Sequence, residues 1–210
     1  MSGAGPSASR VSKLQGDPAL LRQRIDLSGA AASCIEGAES AAAMLECLVA
    51  ADFLAEAVKL LAHALPKREA IWWACMCARH TAPPDLPAVE TEAAAVAEAW
   101  VRRPTEEARR VAFNVAEKSR FGGAESWAAM AAFWSGGSMA PVGQPEVPPA
   151  PHLCGLAVAG SVTLASVRDR PERREARLRR FVASGREIAE GGNGRLPHED
   201  AQEATAEGPA

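Results

Sequence analysis

Residues 65–80 read LPKREAIWWACMCARH. With two adjacent tryptophans, two cysteines one residue apart and a histidine, the stretch has two readings: a metal or thiol site, or the middle of a helical core. Helical geometry separates them. At 100° per residue Trp73, Cys77 and His80 share one face, while Cys75 points roughly 160° away from Cys77. One helix cannot bring all three ligands onto one ion, and structural zinc takes four. No second cysteine pair completes a set, and a C-x-C inside a helix holds its sulfurs too far apart to bridge. The same projection puts Ile71 and Cys75, Trp72 and Met76, and Trp73 and Cys77 on different faces. A helix that is apolar all round is enclosed by others, so the stretch predicts a central core helix.

Neighbouring segments repeat the helical period. Leu54, Val58, Leu61 and Leu65 form one stripe before Pro66, and Ala38, Ala41, Leu45, Leu48 and Val49 form another before Asp52, a candidate N-cap. After the breaker TAPPDLP come a stripe of Val89, Ala93, Val96 and Trp100, and then a helix capped by Thr105 with Glu106 and Glu107 in its first turn. GGAESWAAMAAFWSGG reads as a helix bracketed by glycines, with Trp127, Met130, Ala131 and Trp134 inward. Pro141, Pro145, Pro148, Pro149 and Pro151 then enforce an extended strap over 139–151, and a helical hairpin follows from His152 to about Glu190.

Composition agrees with this pattern. The chain has 210 residues, 48% of them hydrophobic but only 5% aromatic, and no tyrosine. Its apolar share is therefore dominated by alanine, leucine and valine, which favours helix. The expectation is an all-α fold: one layered bundle of about seven to nine antiparallel helices over 17–190, with the Pro-rich strap inside it. Residues 1–16 are expected to be a disordered N-terminus and 191–210 a disordered acidic tail.

Several function classes are disfavoured. A net charge of −3 gives no whole-chain footprint for nucleic acid. The five cysteines are too sparse for a disulfide framework and read as reduced thiols. The N-terminus lacks the apolar run of a secretory signal, and residues 152–167 fall short of a membrane span, so a cytoplasmic location is expected. The four histidines lie in no recognisable catalytic motif, and the Gly-rich pieces lack the lysine of a phosphate loop. Neither a catalytic residue nor a metal or cofactor is assigned.

The candidate contact residues are cationic. Lys67 and Arg68 stand in the first turn of the central helix, where positive charge opposes the helix dipole. They read either as a solvated turn or as a dock for a partner's carboxylate or phosphate. Arg173, Arg174 and Arg177 belong to an arginine run interleaved with glutamates, either a solvated face or a contact for an acidic partner, over which the acidic tail could fold back. Trp72, Trp73, Trp127 and Trp134 are candidates for a ligand pocket, although core packing accounts for them equally.

The segments AHALPKREAIWWACMCAR, AEAWVRRPTEEARRVAF and SWAAMAAFWSGGSMAP resemble an uncharacterised family of small, mainly proteobacterial helical proteins, over about Ala50 to Glu190. The resemblance implies no activity and no catalytic residues, and it associates the chain with secretion gene neighbourhoods. The function expected is a non-catalytic protein-interaction module, an adaptor, chaperone or accessory protein of a bacterial secretion or envelope-associated system, with a protein partner. The alternative is a helical enzyme or small-molecule binder with a Trp-lined pocket.

Overall fold

The computed structural model describes residues 12–199, which contain ten α-helices and no strand. They are α1 (Pro18–Arg24), α2 (Gly29–Cys34), α3 (Ala41–Ala50), α4 (Leu54–Ala64), α5 (Lys67–His80), α6 (Ala88–Arg102), α7 (Glu106–Lys118), α8 (Ala124–Phe133), α9 (Leu153–Val167) and α10 (Arg174–Ala189), the last entered through a 3-10 turn at Pro171–Arg173. The short α2 is the addition to the helices read from the sequence.

Side-chain caps start four of these helices. Asp17 Oδ1 accepts from Ala19 N–H ahead of Pro18, and Ser28, Ser40 and Thr105 cap α2, α3 and α7. The others start without a side-chain bond from the cap residue, and two of them show why. Asp52 does not cap α4: it sits at φ 62° and pairs with Arg179, leaving Phe53 at the cap position. At α8 the cap residue is Gly123, which has no side chain, and the buried Glu90 of α6 accepts from Ser126 N–H at 3.0 Å in its place. A Cβ on Gly123 would stand 2.6 Å from that carboxylate, so the glycine is what lets Glu90 reach the helix end.

The core is enclosed by α5, α8 and α9. Ile71, Trp73, Ala74, Met76 and Cys77 of α5 are all buried, as the all-round apolar pattern requires. Ala128, Ala129, Ala131 and Ala132 of α8 meet Ala157, Val158 and Val162 of α9 in the same apolar cluster, and small side chains on both helices allow close approach. Arg168 at the end of α9 makes a bidentate pair with the buried Glu125 in the first turn of α8, at 2.9 and 2.6 Å. That carboxylate also suits the positive end of the α8 dipole.

The Pro-rich segment is tethered at its neck and exposed at its tip. Arg109 donates to the Phe133 and Ser138 carbonyls, both at 2.7 Å, and its guanidinium stacks 4.5 Å over the Phe133 ring. Gly137, at φ 63°, packs so tightly here that a Cβ would meet Arg109 Nε at 2.8 Å. Met139 N–H to Val147 O, 2.8 Å, closes the neck, while residues 141–148 are exposed. The segment is a closed loop held at its base, not a band pressed across the bundle.

The described residues next to both ends make hydrogen bonds with the bundle. Lys13 and Gln15 N–H groups donate to Ala189 and Ala64, the last residues of α10 and α4, each at 2.7 Å. These bonds satisfy helix-end carbonyls that would otherwise lack a partner. Residues 191–199 return along the bundle. Residues 1–11 and 200–210 lie outside the described residues.

Candidate peptide groove

The cations at the head of α5 are already engaged. Lys67 Nζ donates to Ser135 O at 2.6 Å, and Arg68 Nε to Val101 O at 2.6 Å. These carbonyls lie at the C-terminal ends of α8 and α6. Positive charge that opposes its own helix dipole is therefore placed against the negative ends of two neighbours. Lys67 and Arg68, both exposed, thus link the head of α5 to the ends of α8 and α6.

The tryptophans do not share a pocket. Trp73 is fully buried, with its Nε1–H on Phe181 O of α10 at 2.9 Å. Trp127 donates to Phe121 O and lies against Gly160 of α9, while the half-buried Trp134 ends α8. Trp72 faces elsewhere again, onto the returning C-terminal segment. The indole N–H groups of Trp72, Trp73 and Trp127 take three different backbone carbonyls, so these rings are turned toward separate neighbours.

What the structure does build is a groove between α5 and α10, with residues 193–198 lying in it without regular secondary structure. Trp72 Nε1–H donates to Asn193 O at 2.7 Å and Ser184 Oγ–H to Gly194 O at 2.6 Å. His80 Nδ1–H donates to Pro197 O, and His198 Nε2–H donates back to Ala82 O at 2.6 Å. Leu196 packs on the apolar core. Gly194 permits the path: it sits at φ 60°, and a Cβ there would strike Ile188. Three side chains thus take main-chain carbonyls of this irregular segment, at Asn193, Gly194 and Pro197.

A carboxylate clamp closes the far end. Arg177 of α10 is 3% exposed, so it is not a surface cation of the arginine run. Its Nη1 donates to Arg168 O at 2.6 Å and to Ser166 O, which end α9, and its Nη2 donates to Glu199 Oε2 at 2.6 Å. Arg173 approaches the same carboxylate at 3.7 Å, and Arg174 is exposed. Burial alone would raise the Glu199 carboxyl, but hydrogen bonds and charge from Arg177, joined by Arg173, hold it below its ordinary value.

Beside the clamp is a cavity of about 160 Å³ between the His80–Pro84 turn and Arg177. His80 Nε2 and Thr81 Oγ1 are buried there without a hydrogen-bond partner among the described residues. With Nδ1 protonated toward Pro197, a neutral His80 offers Nε2 as an acceptor. Burial lowers the His80 pKa, outweighing the upward pulls of Pro197 O and Glu199. The corner therefore presents the guanidiniums of Arg170 and Arg177, the carboxylates of Asp169 and Glu199, an acceptor at His80 and a hydroxyl at Thr81. Among the described residues, no group of three His, Cys, Asp or Glu is placed to hold a metal ion, and no helix is long and apolar enough to cross a membrane.

These walls, Trp72, His80, Arg177 and Ser184, all fall within the span that matches a known family. The chain belongs to the family of unknown function DUF6931, whose model covers residues 44–189. The matched span takes in the groove and stops before the segment lying in it. No curated protein and no solved structure matches the chain significantly. Of the groove, the sequence analysis named Trp72 and Arg177 but missed His80, Thr81 and Ser184 as members of one site. A signal existed: Arg177 and Ser184 lie two turns apart on the otherwise apolar α10 stripe of Leu178, Phe181 and Ile188.

Proposed function

We propose that this DUF6931 protein is a non-catalytic interaction module of adaptor type, which seats an extended acidic segment of a protein partner in the α5–α10 groove. The observation that carries the reading is the chain's own residues 193–199 in that groove, read through their carbonyls by Trp72, Ser184 and His80 and anchored by Glu199 on Arg177. Side chains that bind backbone carbonyls recognise an extended peptide without demanding a particular sequence, and the buried guanidinium adds a requirement for a carboxylate. The family span ends at residue 189, so the groove belongs to the family region and its occupant to the flanking tail. The tethered segment competes at an effective concentration in the millimolar range, which keeps the groove closed to weak ligands and open to a stronger acidic partner.

The test uses a fluorescent peptide of residues 191–210 and the full-length protein. Wild type should bind it weakly, because its own segment occupies the groove. Gly194→Val, which cannot keep φ 60° or clear Ile188, should release that segment and bind the peptide at least tenfold more tightly. The same peptide carrying Glu199→Gln should lose most of that gain. If folded Gly194→Val protein, checked by circular dichroism, shows no saturable binding, the groove is an intramolecular fastening and the proposal fails.

A further inference from the structure

Cys34 is the last residue of α2 and Cys47 lies on α3. Cys34 Sγ–H donates to Cys47 O at 3.2 Å, which places the Cys34 thiol against the Cys47 main chain. Both residues are partly exposed, whereas Cys75, Cys77 and Cys154 are buried. We propose that Cys34 and Cys47 form an oxidation site that closes to an intramolecular disulfide and locks α2 onto α3. The inference is independent of the groove.

The backbone on both sides is held in place for this. Arg22 Nη2 donates to the Ile35, Glu36 and Ala38 carbonyls at 2.9, 3.1 and 2.7 Å, which pins the turn that follows Cys34. Ile35 is fully buried next to it, and Met44, Leu45 and Leu48 anchor α3 around Cys47. A disulfide needs Cβ atoms about 3.5–4.5 Å apart and a sulfur–sulfur bond of about 2 Å. The movement required is a turn of the Cys34 thiol from the Cys47 carbonyl toward the Cys47 sulfur on the same residue.

A hydroperoxide supplies the oxidant. One thiolate attacks the peroxide oxygen, breaking the O–O bond and giving a sulfenic acid and hydroxide, which takes up a proton as water. The second sulfur then displaces the sulfenic oxygen as a second water, forming the S–S bond. Two thiols lose two electrons and two protons, and hydrogen peroxide becomes two waters. Burial and the neighbouring Cys47 push the Cys34 thiol up, so the reaction is slow at neutral pH. The three core thiols are more protected still: burial pushes Cys75 and Cys154 up to about 12 and Cys77 well above its ordinary value.

The experiment is mild hydrogen peroxide treatment of the folded full-length protein, followed by quenching, alkylation and peptide mapping. No lysine or arginine separates the two cysteines, so they share one tryptic peptide, and cleavage after Glu36 and Glu39 is needed to show the link. The expected result is a Cys34–Cys47 linked pair lacking two hydrogens, with the core thiols still reduced. Oxidised wild type should melt several degrees higher than reduced wild type. Cys34→Ser should remove both the link and the shift. The proposal is overturned if the two thiols stay alkylatable, end as separate sulfinic acids, or link different chains. It is equally overturned if Cys34→Ser retains the loss of two hydrogens.

Discussion

Gly185 shows how much one hydrogen atom in place of a methyl group controls. On α10 it faces Leu61 Cδ1 and the Trp73 indole, which an added Cβ would meet at 2.8 and 3.2 Å. That closeness lets Trp73 Nε1 reach Phe181 O, four residues earlier on the same helix. Alanine is the better helix former by about 1 kcal/mol, so propensity alone predicts that Gly185→Ala stabilises. Packing predicts the reverse, because overfilling a dense core costs about 1–3 kcal/mol. Gly185→Ala is expected to lower stability by about 1–2 kcal/mol net, read as a reduced urea midpoint at unchanged slope. A midpoint at or above wild type would show that α10 can retreat from Trp73. At this same scale Lys67 and Arg68 were legible as a local conflict with the α5 dipole. Their resolution was not, since the carbonyls they meet at Ser135 and Val101 are more than thirty residues away in sequence.

Between elements, the contact of α4 with α9 carries a titratable group. His63 lies against Gly155, whose missing side chain makes room for the imidazole. Burial, with Arg24 and His152 nearby, lowers its pKa to about 4. An unfolded histidine takes up its proton near pH 6.5, so the unfolded state binds the proton first as pH falls. The resulting stability is complete above about pH 6.5 and is lost as pH drops toward 4. Allowing for partial solvent screening, the loss is about 1–2 kcal/mol. Urea midpoints at pH 7 and pH 4.5 should differ less for His63→Gln than for wild type by that amount, and equal differences would show that His63 charges without cost. His80 acts in the same direction in both proteins, so the comparison isolates His63.

On the scale of the whole molecule, the loop after α8 and the returning tail are both surface segments, yet they are held differently. Val142 is 83% exposed, and the loop is fastened at its neck, while the described part of the tail is hydrogen-bonded at Asn193, Gly194, Pro197, His198 and Glu199. Limited digestion with a Glu-specific protease should therefore cut after Glu146 before it cuts after Glu187 or Glu190. The two halves should co-elute as one folded particle, because α9 remains enclosed by α4, α5 and α8. Separation of the halves on gel filtration would show that the neck and the covalent loop, not core packing, hold α9 in place.

The all-helical class, the central place of α5 and most helix boundaries were determined by the sequence alone, because they follow from short-range rules: a 3.6-residue period, alanine propensity, and caps such as Thr105 within three residues of their partners. The match over residues 44–189 carries the family by the same kind of local pattern. What the tertiary structure alone decided are the meetings of distant residues. A polar, acidic tail composition reads as disorder, but the described part of the tail docks mainly through backbone carbonyls, which every residue possesses and no composition reveals. Trp72, Trp73 and Trp127 looked like one site and take separate hydrogen-bond partners, whereas Cys34 and Cys47, read in the sequence only as reduced thiols, were brought together beside the turn that Arg22 holds. Pairings of this kind depend on where helices cross, and crossing is set by packing of the whole core, not by any window of the chain.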